Sequence, residues 1–303
     1  MHAWEAIDQS LRYIEEHISE EINAQRLADQ VYLSKFYFQR LFKRLVHRPV
    51  QEYIKLRRLA IALELLKTTD LKIIDIANQL GFTDPSNFTR IFKEAYNLTP
   101  EVYRKTRPRM NVIRKPNLFL NYHSIDEGVP LIVNEIVIEI EKKELDEELY
   151  LGYNETIFLG KQLPVGQQTG VDQPGELWRT FHQKKHTLKG IVDTDVEVGI
   201  SDLASHSQNH FHYFVGARTL DAAIPVSADM VTKIVPGGLY IVCKIEAETK
   251  EKLVTEALNE AYRYLFDVWL PKHEIRVSSF SLEKYYKKEQ IPSIELCLKV
   301  EAE

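Results

Sequence analysis

The sequence predicts an α+β protein: an all-α N-terminal domain with two helix-turn-helix motifs, followed by a domain of two β-α-β-β repeats. Three observations carry that expectation. Apolar residues recur at helical spacing through residues 1–107. Within that region a pair of segments returns at an offset of 49 to 50 residues. From Glu135 onward the apolar period changes from helical to alternating.

The helical elements follow in order. Trp4, Ile7, Leu11, Ile14 and Ile18 form one stripe. Asn23 can cap a short helix holding Leu27, Ala28 and Val31, and Ser34 can cap the next, with Phe38, Leu41, Phe42 and Leu45 inward. After Pro49 a long helix to about Lys67 carries Tyr53, Ile54, Leu56, Leu59, Leu63 and Leu66. Gly81 suits a left-handed helix stop. Asp84 then caps a restart with Pro85 at the first helical position, where its missing N–H is no loss. Phe88, Ile91, Phe92 and Ala95 form the inner stripe of that helix. Thr99-Pro100-Glu101 repeats the cap-then-proline logic.

The internal repeat is the most informative feature. "LADQV" at 27–31 returns as "IANQL" at 76–80, and "FQRLFK" at 38–43 as "FTRIFK" at 88–93. Tyr53 and Tyr103 each follow a proline. Each copy is a short helix, a tight turn and a second helix with a basic outer face. That outer face holds Phe36, Gln39, Arg40 and Lys43 in the first copy, and Ser86, Thr89, Arg90 and Lys93 in the second. Arginine can bridge guanine O6 and N7, glutamine suits adenine, and an aromatic can press on a thymine methyl. The competing reading is two solvated faces with arginines in surface ion pairs; the repetition argues against it. The intervening helix, roughly Val50 to Lys67, would span about 27 Å. Adjacent major-groove faces lie about 34 Å apart, so one chain could place both helices on one duplex.

"KTRPRMNVIRKPN", Lys105 to Asn117, has two prolines and five basic residues and reads as linker. The expected boundaries are 1–107 for the helical domain, 108–134 for linker and lead-in, and 135–303 for the second domain. In the latter, "EIVIEIEKK", "ELYLGYNETI", "VEVGIS", "HFHYFVGAR", "FSLEKYY" and "SIELCLKV" read as strands. "GELWRTFHQKK" and about Lys250 to Leu270 read as helices.

Charge divides the same way. Residues 1–110 carry 18 Lys and Arg against 14 Asp and Glu, whereas the whole chain of 303 residues has a net charge of −5. A basic module joined to an acidic one suggests that only the first meets a polyanion. No apolar run of about 18 residues is present, and the N-terminus lacks a signal-peptide pattern, so a cytoplasmic location without a membrane partner is expected. Cys243 and Cys297 make no disulfide framework and read as buried thiols.

On these residues the first third resembles the AraC/XylS family of bacterial transcription regulators. "IIDIANQLGFTDPSNFTRIFKEAYNLTPEVYR", Ile73 to Arg104, is the most specific part. The resemblance implies base contacts from Phe36, Gln39, Arg40 and Lys43, and from Ser86, Asn87, Thr89 and Arg90, with double-stranded DNA as partner and RNA polymerase as a further one. Pro85 stands where some relatives carry a polar side chain, which would reduce base contacts from the second helix. "GELWRTF", "HYFVGAR", "PGGLYIV", "AYRYLFDVWLP" and "LEKYY" resemble GyrI-like effector-binding domains, with Lys299 where relatives often carry proline. That resemblance implies a small-molecule effector, often a lipophilic cation, in a cleft with aromatic walls and an acidic floor. Glu283 is the candidate floor, with Trp178, Tyr153, Tyr213 and Tyr240 around it and Glu295 in reserve; the alternative is a solvated glutamate and core tyrosines.

His206, His210 and His212 in "HSQNHFH" lack a fourth ligand in evident spacing and read as structural or surface residues. No Walker loop, dinucleotide glycine fingerprint or nucleophile elbow is present. No cofactor, metal or enzymatic activity is therefore expected. The rival readings of the second half are a hydrolase, for which Glu283 has no evident partner carboxylate, and a protein-docking module. The functional expectation is a sequence-specific regulator of transcription, an activator, modulated by the effector.

Overall fold

The computed structural model describes residues 2–82, 84–119, 126–133, 136–158, 169–188, 190–202, 210–220, 229–289 and 291–301. The chain divides into two compact units, Met1–Asn121 with Gly166–Asp172, and Tyr122–Val165 with Gln173–Glu303.

Among the described residues of the first unit, seven helices surround one core: α1 (Ala3–Glu16), α2 (Ala24–Gln30), α3 (Lys35–Val46), α4 (Val50–Thr68), α5 (Ile73–Gln79), α6 (Pro85–Tyr96) and α7 (Pro100–Thr106). The repeat seen in sequence extends to atomic detail. Ser34 accepts from the Tyr37 N–H at 3.3 Å and Asp84 from the Ser86 N–H at 2.8 Å, each satisfying an otherwise orphaned donor. His47 and Asn97 end α3 and α6 in the left-handed conformation, at φ 58° and 60°. Phe38 and Phe42 in one copy, and Phe88 and Phe92 in the other, are fully buried. Phe42 meets Tyr53 with ring centroids 5.8 Å apart, and Phe92 meets Tyr103 at 6.3 Å. Gly81 takes φ +71°, as its helix-stop role requires.

Helix α4 is tied to its surroundings by arginines. Arg57 grips the Glu15 carboxylate at 2.7 Å and donates to the Ile113 carbonyl at 2.7 Å, while the Tyr53 hydroxyl donates to Glu15. Arg58 donates to the Ile18 carbonyl at 2.8 Å. Ile113 and Leu118 are buried in the helical core, and Lys115 pairs with Asp8 at 3.3 Å. The stretch expected to be linker from residue 108 is thus, through Phe119, part of the helical unit: its apolar side chains outweigh its prolines. Two short strands close the unit, β1 (Met110–Asn111) and β5 (Gly170–Val171), paired antiparallel.

The second unit has the strands β2 (Leu131–Val133), β3 (Ile136–Leu145), β4 (Glu148–Phe158), β6 (Val192–Asp202), β7 (His210–Thr219), β8 (Val231–Val235), β9 (Gly238–Ala247), β10 (Val277–Tyr286) and β11 (Ser293–Val300). Its helices are α8 (Gln173–Lys184) and α9, residues 250–272. The strands form one sheet in the order β2-β3-β9-β11-β10-β6-β7-β4-β8. The strand-helix-strand-strand units, β4-α8-β6-β7 and β9-α9-β10-β11, meet at β6 and β10. Each also has a leading strand that the sequence did not assign to the other half: β3 precedes the first unit but pairs with β9, and β8 precedes the second but pairs with β4.

This exchange curls the sheet. Residues 146–147 carry the chain from β3 to β4, and residues 236–237 from β8 to β9. In a flat sheet β3 and β4 would stand roughly 29 Å apart at the usual strand spacing, whereas such a connection reaches about 11 Å. The two connections instead lie side by side: a Cβ added at Gly237 would stand 3.1 Å from the Glu147 amide nitrogen. Tyr150, Val198, Phe214, Tyr240, Leu282 and Cys297 fill the inside of the curl. Leu177 and Phe181 of α8 pack on the other face, against Leu151, Tyr213 and Val215.

Candidate DNA interface and effector cleft

The inner stripe of α3 leaves a polar and aromatic face outward. Phe36 is 77% exposed, and Gln39, Arg40 and Lys43 are exposed as well. Among the described residues Arg40 makes no hydrogen bond or ion pair. Two neighbours were missed in the sequence: Tyr32, 91% exposed in the turn before α3, and Tyr37, 51% exposed. The signal available was a tyrosine inside the turn, outside any apolar stripe.

On α6, Ser86, Arg90 and Lys93 are exposed, while Asn87 and Thr89 are half-buried. Arg90 is held along its own helix, donating to Asn87 Oδ1 at 2.8 Å and pairing with Glu94. The surface ion pair weighed against base contact in the sequence is thus present at Arg90 and absent at Arg40.

In the second unit, Glu283 sits on β10 with its side chain on the face opposite Leu282, by the alternation of a strand. It is buried, at 6% exposure. A buried carboxylate is costly unless hydrogen-bonded. Here three phenols supply the bonds: Tyr213 and Tyr285 donate to Oε2 at 3.1 and 2.8 Å, and Tyr262 donates to Oε1 at 3.0 Å. The Trp178 indole N–H donates to the Tyr213 oxygen at 3.1 Å, and its ring meets Tyr285 edge-on at 4.9 Å. Burial and the adjacent Glu283 charge push all three phenols well above the ordinary tyrosine range. Gly199 leaves the room they need, since a Cβ there would stand 2.4 Å from the Tyr213 hydroxyl and 2.8 Å from Glu283 Oε2.

Of the expected companions, Trp178 and Tyr213 adjoin Glu283. Tyr153 shares their core; its hydroxyl is buried without a partner among the described residues, and the Lys184 ammonium lies 5.0 Å from its ring centroid. Tyr240 does not belong to the cleft: it lies inside the curl, on the opposite face, with its hydroxyl donating to the Pro236 carbonyl at 2.6 Å. Strand parity separates it from Glu283. Glu295 is half-buried and accepts from the Tyr286 hydroxyl at 2.5 Å, also away from Glu283. Tyr262, Tyr285 and Gly199 were not singled out in sequence. Tyr262 comes from the α9 segment Leu258–Tyr264, bracketed by π-helical turns at Leu253–Ala257 and Leu265–Trp269, a distortion often found at functional sites.

Beside Trp178, the buried Glu197 carboxylate contacts Lys287 at 2.6 Å, His182 at 3.0 Å and Lys185 at 3.1 Å. Burial opposes its ionisation, but hydrogen bonds from His182 and Lys287 outweigh that and hold it at about 2. A cavity of about 630 Å³ bordered by Asp202, Lys233, Phe280 and Lys299 lies away from Glu283. His210 and His212 have ring centroids 5.9 Å apart, and no group of three metal-ligating side chains exists among the described residues; His206 lies outside them. Cys243 and Cys297 are buried free thiols, pushed up by burial.

Two helix-turn-helix copies on one core, followed by a domain with a phenol-capped carboxylate, define a DNA-binding regulator with an effector-binding domain. A helix-turn-helix domain model matches residues 27–106, and the model described as an integron-associated effector binding protein, Cass2, matches residues 158–298. Regulatory protein SoxS of Salmonella typhimurium is 38% identical over 94 residues, covering 31% of this chain and 88% of that protein. Regulatory protein PocR of the same organism is 38% identical over 96 residues, which span 32% of each chain. The transcriptional activator AarP of Providencia stuartii is 33% identical over 98 residues, 32% of this chain and 73% of that one. The chain belongs to the AraC family of transcription regulators, and carries a GyrI-like effector-binding domain after its DNA-binding domain.

Proposed function

We propose that this regulator reads an operator with α3 and α6 together, and that a hydrophobic cation bound over Glu283 sets its activity. The observation that carries the effector reading is the buried carboxylate held by three phenols and flanked by an indole. Aromatic faces attract cations, and a desolvated carboxylate favours a positive ligand that can neutralise it. Base contacts come from Phe36, Gln39, Arg40 and Lys43, and from Ser86, Asn87, Thr89, Arg90 and Lys93. Activation is supported by the name of the relative AarP, a transcriptional activator; RNA polymerase would be the partner through which an activator acts. Calorimetric titration of the full chain with aromatic quaternary ammonium ions tests the effector class. Binding lost in Glu283→Gln is expected; heat that persists unchanged in that variant, or no heat with any such cation, rejects it.

A further inference from the structure

Strand β5 belongs to the helical unit, although β4 before it and α8 after it belong to the other. Met110 pairs with Val171 and Asn111 with Gly170, and the Asp172 N–H donates to the Arg109 carbonyl at 2.8 Å. The receiving edge is fixed, because Met110 and Val112 pack on the helical core. Strand β5 also lies against α6, the second recognition helix. Gly170 is buried at φ +122°, a conformation that side-chain-bearing residues rarely adopt. The chain then enters α8 at Gln173, and Trp178 follows within two helical turns.

We infer that residues 169–172 are a docking strand on the DNA-binding domain, and that they couple the Glu283 cleft to α6 through the helix that carries Trp178. This rests on the reading of Glu283 as the effector site. Trp178 donates to the Tyr213 oxygen that in turn donates to Glu283, so a change at the carboxylate bears on α8 directly. Helix α8 starts at Gln173, the residue that follows the strap in the chain. The strap ends in backbone pairing beside α6. Energetic coupling travels through such contiguous stiff elements.

Amide hydrogen exchange of α6 in the full-length chain tests this without ligand or DNA. Glu283→Gln serves as the perturbation, since it removes the charge that organises the cleft. In the otherwise unaltered chain it is expected to change exchange across residues 85–96 about fivefold or more. Gly170→Ala and Gly170→Val act through the backbone alone, because a Cβ at this position meets no atom within 4 Å. In either background the α6 response to Glu283→Gln should vanish while exchange in α4 reports that the helical core is intact. An equal response with and without the Gly170 substitution overturns the inference, as does no response in the unaltered chain. Failure of the operator reading would appear separately, as absence of sequence-specific duplex binding by the unaltered chain.

Discussion

The two helix-turn-helix copies share an interior and differ in what they offer outward. Phe38 and Phe88, Phe42 and Phe92, and the left-handed caps His47 and Asn97 correspond position by position. The outer faces do not. Helix α3 presents an unengaged Arg40 among exposed aromatics, whereas Arg90 of α6 is clasped by Asn87 and Glu94 and its helix begins with Pro85. The packing that makes each helix is common to both copies, and the surface is where they part. The first copy leaves its arginine unengaged, and the second holds its arginine against a carboxylate of the same helix.

The largest test concerns the shared interior. Phe42→Ala and Phe92→Ala should each destabilise the helical domain by about 3–5 kcal/mol, because each leaves a cavity around a fully buried ring. Denaturant unfolding would show it, and a cost below about 1 kcal/mol in either copy breaks the equivalence. Next comes the outward difference. Arg40→Ala should weaken binding to a specific duplex by about 1–3 kcal/mol, and Arg90→Ala by less, since its guanidinium gives up an ion pair to bind. Fluorescence anisotropy with cognate and scrambled duplexes decides this, and a larger loss at Arg90 would reverse the assignment. Among the caps, Asp84→Ala should cost about 1 kcal/mol of stability, and Ser34→Ala less, in line with its longer 3.3 Å bond. The smallest effect is expected for Glu94→Ala, which frees Arg90 at a cost of about 0.3–0.5 kcal/mol in helix stability; tighter duplex binding by this variant would sharpen the contrast.

Much of the helical half was legible because its signals are local. A cap, a proline at the first helical position and a 3.6-residue stripe each act within one turn, and the repeat doubled every one of them. The cluster around the buried carboxylate was legible at Glu283, Trp178 and Tyr213 through a resemblance. It was not legible at Tyr262 and Gly199, whose relation to Glu283 is created by strand and helix packing. Tyr240 shows the limit of alternation: a period of two says that neighbouring side chains oppose each other, not which face receives a distant glutamate. Strand partners were hidden for a related reason, since nothing in the local pattern of β3 or β8 records that each pairs with the other half. Prolines and basic residues masked the anchoring of Ile113 and Leu118.

The exchanged leading strands leave neither half of the effector domain able to complete its own sheet. A nascent chain that has emerged only through β7 has β3 without β9 and β4 without β8, so both halves must wait for the C-terminal strands before either is finished. Such dependence on distant pairing slows folding. It also means that cutting the domain near its middle would yield two fragments with unpaired hydrogen-bonding edges instead of two smaller domains.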